Sequence, residues 1–320
     1  MKNDPAQVAE KIKNYFDSHF FLLTLERQHQ YCSRMYRVTG EDSYLQAIKN
    51  YLYYLDSKLK FYSFILESGR EREEGLEILK NQEKTSWYVK MNRNQIYYQF
   101  PEFKFYQAML RTAYWIFSYQ AEELTGSREY IKIISHLRKI NFKKYLLDKS
   151  VITLDPSQNT NYVFWLNEMG IVDIIEKFQE LLLEVFPIKK VQVSSLDFHN
   201  QIYGYTHLII AKSNFYQKFV DSESHVDIIN FLSKNIKKIT ENGSIDMIAE
   251  VGVALRLLNQ KGEIMEKISR QLLKEFNGQY IEYKNYKGLN RLQHPNMLAI
   301  IFFKSISKLY PGPTIKNIYR

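Results

Sequence analysis

A short phrase that occurs twice constrains the fold of this chain more than any other feature. It reads VTGEDSYL at residues 38–45 and LTGSREYI at residues 124–131, and each copy leads to an isoleucine three residues later. Each copy follows one aromatic-rich helical run and precedes another, which is typical of the turn in a helical hairpin. Looser versions occur at residues 219–226 and 258–264. The recurrence predicts a repeat architecture of antiparallel helix pairs.

The scarcity of glycine and proline favours helices over a fold with many turns. The 320 residues include 12 Gly and 7 Pro, and the composition is 45% hydrophobic and 15% aromatic. Such a composition excludes disorder as the main state. No segment alternates polar and apolar residues convincingly, so the pattern predicts an all-α fold. No run of 18 or more apolar residues occurs, so we expect no transmembrane segment.

The apolar periodicity predicts about eleven to thirteen helices in consecutive hairpins, which we interpret as one domain over residues 1–320. Asp4 and Pro5 have the residue types of a helix start, and the apolar rhythm predicts a first helix from there to Gly40. We expect a short exposed helix over residues 70–82 and a long connection over residues 83–100. Pro295 is expected to begin the last long helix.

The Thr-Gly phrase resembles the "TGD-x-x-Y-hydrophobic" turn of α/α-toroid proteins, where it joins the helices of one hairpin. Unsaturated-glucuronyl hydrolases, sugar 2-epimerases and similar carbohydrate enzymes share that architecture. The resemblance implies an all-α chain whose antiparallel hairpins close into an α/α toroid, complete or incomplete, and it does not specify an activity.

A second resemblance concerns the C-terminal half. The stretches YGYTHLII at 203–210, IDMIAEVG at 245–252 and QHPN at 293–296 look like signatures of uncharacterised bacterial α/α-toroid families. In those families Thr-His, Asp-x-x-Ala-Glu and His-x-Asn recur on successive helices. This resemblance nominates residues and implies no reaction.

Glu250 is the most unusual position, because it lies in a run that is otherwise apolar on nearly all sides. A buried carboxylate must be paired, protonated or bound to a ligand. Asp246 lies four residues earlier and hence on the same face, so the two could act as general acid and base. In the structural alternative, the charge of Asp246 interacts favourably with the positive N-terminal end of its helix. Glu250 then forms an ion pair with an arginine such as Arg256 or Arg291.

His207 lies in a second apolar run, four residues after Tyr203 and eight after His199. A neutral His207 could serve as a base, or it could be a core histidine bonded to a carbonyl. His199 and Asp197 stand near the start of the same predicted helix, where the ends of inner helices would meet in a toroid. Tyr203, His199 and Asp197 are therefore candidate substrate-binding residues, and Asp197 is also a candidate third acid.

His294 and Asn296 flank Pro295 at the predicted start of the last long helix. A histidine at such a junction can point into a central cavity, or it can lie near solvent at a helix end. His207, Glu250 and His294 fall on three different predicted helices, so their side chains converge if those helices are neighbours.

Other chemistry is disfavoured by the motifs that are missing from the sequence. No HExxH or comparable metal spacing occurs, and no serine elbow, dinucleotide fingerprint or Walker lysine is present. We therefore expect no metal and no cofactor. The single Cys32 excludes an internal disulfide. The formal charge of +9 comes without an arginine cluster, so the sequence disfavours nucleic-acid binding.

Two functions stay open at the level of the sequence. The leading hypothesis is an enzyme for a carbohydrate or similar polar substrate, with Glu250, Asp246 and His207 as catalytic residues. His294, Asn296, His199, Asp197 and Tyr203 would bind the substrate. The alternative is a non-catalytic helical scaffold whose basic, aromatic concave surface binds a protein or ligand partner. We expect a cytoplasmic protein by default, or an exported one if a signal peptide was removed.

Overall fold

The computed structural model describes residues 4–85, 94–123, 127–276, 286–304 and 306–319. These residues form helices and contain no strand, which confirms the all-α fold class. None of the helices in the described ranges is long and apolar enough to cross a membrane.

The α-helices are numbered in chain order. α1 to α4 span Pro5–Ser18, Leu25–Thr39, Leu45–Ser68 and Glu71–Thr85. α5 to α10 span Glu102–Ser118, Ser127–Leu137, Phe142–Leu146, Lys149–Leu154, Pro156–Glu168 and Ile175–Val185. α11 to α17 span Ser195–Lys212, Val226–Lys234, Ile236–Asn242, Ile245–Leu257, Glu263–Phe276, Tyr286–Phe303 and Ile315–Ile318. Short 3-10 turns occupy Phe20–Leu22, Asp42–Tyr44 and Glu223–His225.

The first Thr-Gly turn ends a helix as predicted. Gly40 follows α2 with a left-handed φ of 72°, and its N–H donates to the carbonyl of Tyr36. Such a conformation is easy for glycine and costly for other residues. The Thr-Gly of the second copy lies outside the described residues, and α6 begins directly after it.

The predicted single helix up to Gly40 is wrong, because the chain breaks between α1 and α2. Asp4 caps α1 as expected, since its Oδ1 accepts from the N–H of Ala6 at 3.1 Å. At the other end, the Oγ of Ser18 and the ring of His19 both bond to the carbonyl of Tyr15, 2.9 Å away in each case. These side chains terminate α1 by local hydrogen bonding, which an apolar rhythm does not reveal.

The chain folds into two compact units. Unit 1 comprises Met1–Tyr51 and Tyr205–Arg320, and unit 2 comprises Leu52–Gly204. The interpretation of residues 1–320 as one domain stays a prediction, as does closure of the hairpins into a toroid.

Unit 1 is built around α16, which packs against α1, α2 and α14. α14 also packs against α15, and α15 packs against α13. Pro295 lies inside α16 rather than at its start, so the predicted helix boundary is wrong. A proline inside a helix removes one backbone hydrogen bond, and the packing of α16 against three helices outweighs that loss.

Unit 2 has an aromatic core between its helices. Phe103 of α5 stacks on Tyr145 of α7, with ring centroids 4.4 Å apart, and Tyr114 of α5 stacks on Trp165 of α9 at 4.7 Å. α4 packs closely on the start of α5, where the position of Gly75 leaves no room for a side chain against the carbonyl of Pro101. The two stacked aromatic pairs of α5 therefore contribute to the packing of the helices in unit 2.

Candidate functional site

α14 carries the two candidate carboxylates on successive turns. Ser244 caps the helix, with its Oγ accepting from the N–H of Met247 at 3.2 Å. Asp246 stands in the first turn, where an acidic side chain is favoured, and Glu250 follows one turn later. Four residues of α-helix advance by about 6 Å, so the two carboxylates occupy neighbouring positions along one face.

Glu250 is 2% exposed and is held by two side chains of α11. Thr206 donates its hydroxyl to Oε1, and Nε2 of His207 lies 3.5 Å from Oε2. Within the described ranges no arginine forms an ion pair with Glu250. Arg256 instead donates its Nε–H to the carbonyl of Phe302 at 3.3 Å. The arginine partner of the structural alternative is therefore not found at this carboxylate.

Asp246 pairs with the other candidate histidine. Nδ1 of His294 lies 2.6 Å from Oδ1 of Asp246, and the two side chains are 24% and 32% exposed. His294 is brought there from the middle of α16, because α16 packs along α14. The imidazole of His294 therefore also has a carboxylate as its hydrogen-bond partner.

Two carboxylate–histidine pairs therefore lie on adjoining turns of one buried helix. The two histidines come from different helices, His207 from α11 and His294 from α16. Each imidazole is partly accessible to solvent. The side chain of His207 is 16% exposed, whereas that of Glu250 is 3% exposed. Solvent or a ligand can therefore reach the imidazole of this pair more readily than the carboxylate.

The structure places the remaining candidates in another hydrogen bond of α16 or in unit 2. Asn296 is fully buried in α16 and donates its Nδ2–H to the carbonyl of Leu292 at 2.9 Å. Asp197, His199 and Tyr203 belong to unit 2. Asp197 accepts from the hydroxyl of Ser194 at 2.7 Å while its own N–H donates back to Ser194 Oγ at 3.0 Å, which is a capping arrangement at the start of α11.

Sequence reasoning missed two arginines of α2 that lie beside the pairs. Arg27 donates to Oε1 of Gln293, the neighbour of His294, over 3.5 Å. Arg34 contacts Sδ of Met297, one turn further along α16, at 3.8 Å. The signal was present as a spacing of seven residues, which puts both arginines on one helix face.

Tyr216 is the third residue that the sequence did not reveal. Its ring is buried, and the guanidinium carbon of Arg34 lies 5.4 Å from the ring centroid. Burial raises the pKa of Tyr216 to about 12, with the charges of Glu250 and Asp246 adding to this and Arg34 opposing it. The phenol is therefore protonated at neutral pH and able to donate a hydrogen bond.

A left-handed turn after α11 sets the direction of Tyr216. The φ angles of Asn214, Phe215 and Tyr216 are 52°, 53° and 74°, in a region that costs non-glycine residues about 1–2 kcal/mol each. Ser213 supports the turn, since its Oγ accepts from the N–H of Tyr216 at 2.9 Å. The buried Arg37 donates to the carbonyl of Phe215, also at 2.9 Å. Such strain persists where surrounding contacts hold it, often at functional sites.

No group of three or more His, Cys, Asp or Glu side chains in the described part of the chain is arranged to hold a metal ion.

Residues 5–320 match the family described as a domain of unknown function, DUF3541. The chain belongs to the DUF3541 family. No curated protein and no solved structure matches it.

Proposed function

We propose that the chain is an enzyme that performs acid–base chemistry on a carbohydrate-like, polar substrate. The observation that carries the proposal is the presence of two carboxylate–histidine pairs on successive turns of α14, Glu250 with His207 and Asp246 with His294. One imidazole would remove a proton from the substrate while the other donates one. Proton transfer by a positioned side chain contributes roughly 10²–10⁴-fold to a rate.

The carboxylates would act mainly through the histidines. A carboxylate behind an imidazole fixes the ring orientation and stabilises the imidazolium ion that forms when the ring takes up a proton. Glu250 suits this role because it is buried and already held by Thr206. Asp246 is more accessible, so it could also contact the substrate itself.

The carbohydrate part of the proposal comes from the sequence resemblance to α/α-toroid enzymes. The proposal includes the toroid architecture, in which each Thr-Gly turn joins the two helices of one hairpin. Direct attack by paired carboxylates, as in glycosidases, would require both acids to face the sugar at a separation of about 5–9.5 Å. The burial of Glu250 favours a histidine-mediated reaction over that mechanism.

The non-catalytic scaffold is less well supported at this site. A scaffold would be expected to neutralise Glu250 with an arginine, as structural ion pairs do. Glu250 instead has a hydroxyl and a partly exposed imidazole as partners.

The test is a screen of 4-nitrophenyl glycosides and free sugars for hydrolysis or epimerisation, followed by kinetics of variants. We expect His207→Asn and His294→Asn each to lower kcat/KM by roughly 10²–10⁴-fold for the substrate found. His136→Asn is the matched control, since His136 is a partly buried histidine of α6 in unit 2. Full activity in both site variants would contradict the acid–base role. If wild type turned over no sugar of the panel, the carbohydrate assignment would be wrong.

A further inference from the structure

Arg27 and Arg34 present two guanidinium groups on the same face of α2. Residues seven apart in an α-helix differ by about 20° in direction, so both side chains point toward the same surroundings. Each arginine is partly buried. Both reach α16 close to the Asp246–His294 pair, through Gln293 and Met297.

The partners of these two arginines are neutral. Arg27 donates to the amide oxygen of Gln30 at 2.9 Å and to that of Gln293 at 3.5 Å. Arg34 contacts the sulfur of Met297 and the face of Tyr216. Among the residues that the structure describes, no carboxylate oxygen lies within 4.0 Å of either guanidinium. A partly desolvated charge with no carboxylate in direct contact is costly, and an arriving anion would offset that cost.

Mutual repulsion adds to the unfavourable electrostatics. Burial lowers the pKa of Arg27 and the charge of Arg34 lowers it further, whereas the charges of Asp246 and Glu26 act in the opposite direction. Arg27 therefore lies within electrostatic reach of both its partner arginine and the candidate acid–base pair. An anion between the guanidinium groups would be attracted by both, and each group offers a fork of N–H donors that matches a carboxylate or phosphoryl group.

We propose that Arg27 and Arg34 form a subsite for an anionic group, a carboxylate or a phosphoryl group, carried by the substrate of this site. The proposal rests on the proposed function for the statement that the bound molecule is a substrate. The binding of an anion by the two arginines is independent of that function. The substrate class becomes an acidic or phosphorylated sugar, anchored by its charge beside His294 and Asp246.

The experiment measures thermal unfolding with inorganic phosphate, glucuronate or neutral glucose, at an ionic strength kept constant with potassium chloride. At a tenfold excess over Kd, we expect a bound anion to raise the wild-type Tm by on the order of 2 °C. Arg27→Gln and Arg34→Gln should each weaken anion affinity by about tenfold or more. Arg270→Gln, the same change at an exposed position of α15, should leave the shift intact.

The anions distinguish the sources of the charge. A shift with glucuronate alone indicates a carboxylate subsite, one with phosphate alone a phosphoryl subsite, and one with both a general anion subsite. No shift with either anion, an equal shift with glucose, or an undiminished shift in both arginine variants overturns the proposal.

Failure of the acid–base function would look different. In that case His207→Asn would keep full turnover while the anion shift and its dependence on the arginines remained. Conversely, loss of turnover in His207→Asn without any anion shift would retain the proposed function and remove the anion subsite.

Discussion

His29 shows how strongly unit 1 can constrain one titratable side chain. It is 2% exposed, and its ring stacks on that of Tyr51 with centroids 3.9 Å apart. Burial lowers the pKa of His29 well below its ordinary value, and the charges of Arg37 and Arg34 lower it further. The ring is therefore neutral in the folded protein at neutral pH.

This pKa shift predicts a loss of stability on acidification. The unfolded chain takes up a proton on His29 below about pH 6.5, whereas the folded protein does not, so stability falls as pH falls through that value. Between pH 6.5 and 5.5 the expected loss is about 1 kcal/mol. His29→Phe keeps a ring against Tyr51 and removes the titration, so its unfolding free energy should decline less over this range. Urea unfolding at several pH values measures the difference. Equal pH dependence in wild type and His29→Phe would contradict the predicted contribution of His29.

Four residues of the candidate site show what the local sequence can and cannot reveal. Glu250 was recognisable because a charge inside an apolar run is unusual in any helix. The spacing of Arg27 and Arg34 puts them on one helix face, but nothing local to these arginines or to Tyr216 shows which distant residues they contact. The position of Tyr216 also depends on a left-handed backbone, and no glycine in that segment indicates such a conformation from the sequence.

Among the helices, the site depends on how closely α14 approaches α16. Gly252 permits this approach, because a Cβ at that position would lie 2.5 Å from the ring of Phe302. It would also lie 3.1 Å from Cγ2 of Ile268 in α15. Glycine is otherwise unfavourable inside a helix, so its presence here reflects packing. The same approach of α14 and α16 allows Asp246 to meet His294.

Gly252→Ala should therefore destabilise the protein, although alanine is the better helix former. We expect a loss of about 1–3 kcal/mol, since the ring of Phe302 must move out of a packed core. Adding Phe302→Leu should recover part of the loss. Gly204→Ala in α11 is the control, because the nearest atom to its Cβ is a leucine methyl at 3.2 Å. Denaturant unfolding gives these values, and a Gly252→Ala variant as stable as wild type would contradict the close packing.

The same helices show what the sequence could and could not predict. The all-α class, the cap at Asp4 and the helix end at Gly40 follow from local chemistry, and the structure confirms them. The position of Pro295 inside α16 was predicted wrongly, because tertiary packing overrides the local preference of proline. His207 and His294 were nominated from sequence, but their pairing with particular carboxylates required the contacts between helices.

Taken as a whole molecule, the chain folds as two compact units that divide the predicted site residues. Unit 1 contains both carboxylate–histidine pairs and both arginines of the proposed anion subsite. The formal charge of +9 is consistent with attraction of an anionic substrate. The proposed reaction would thus depend on α2, α14, α16 and residues 205–212 of α11, all of which belong to unit 1.

The proposed function depends on Glu250 being held for catalysis rather than for stability of the fold. The melting temperature of Glu250→Gln against wild type in the same buffer separates these two roles. Glutamine keeps the size of the side chain and can still bond to Thr206, so we predict an unchanged or raised Tm, as for functional groups held at a cost to stability. A structural buried pair would instead lose about 3–5 kcal/mol on removal of one charge. A drop in Tm of about 4–7 °C would therefore contradict the catalytic role and make Glu250 part of the scaffold.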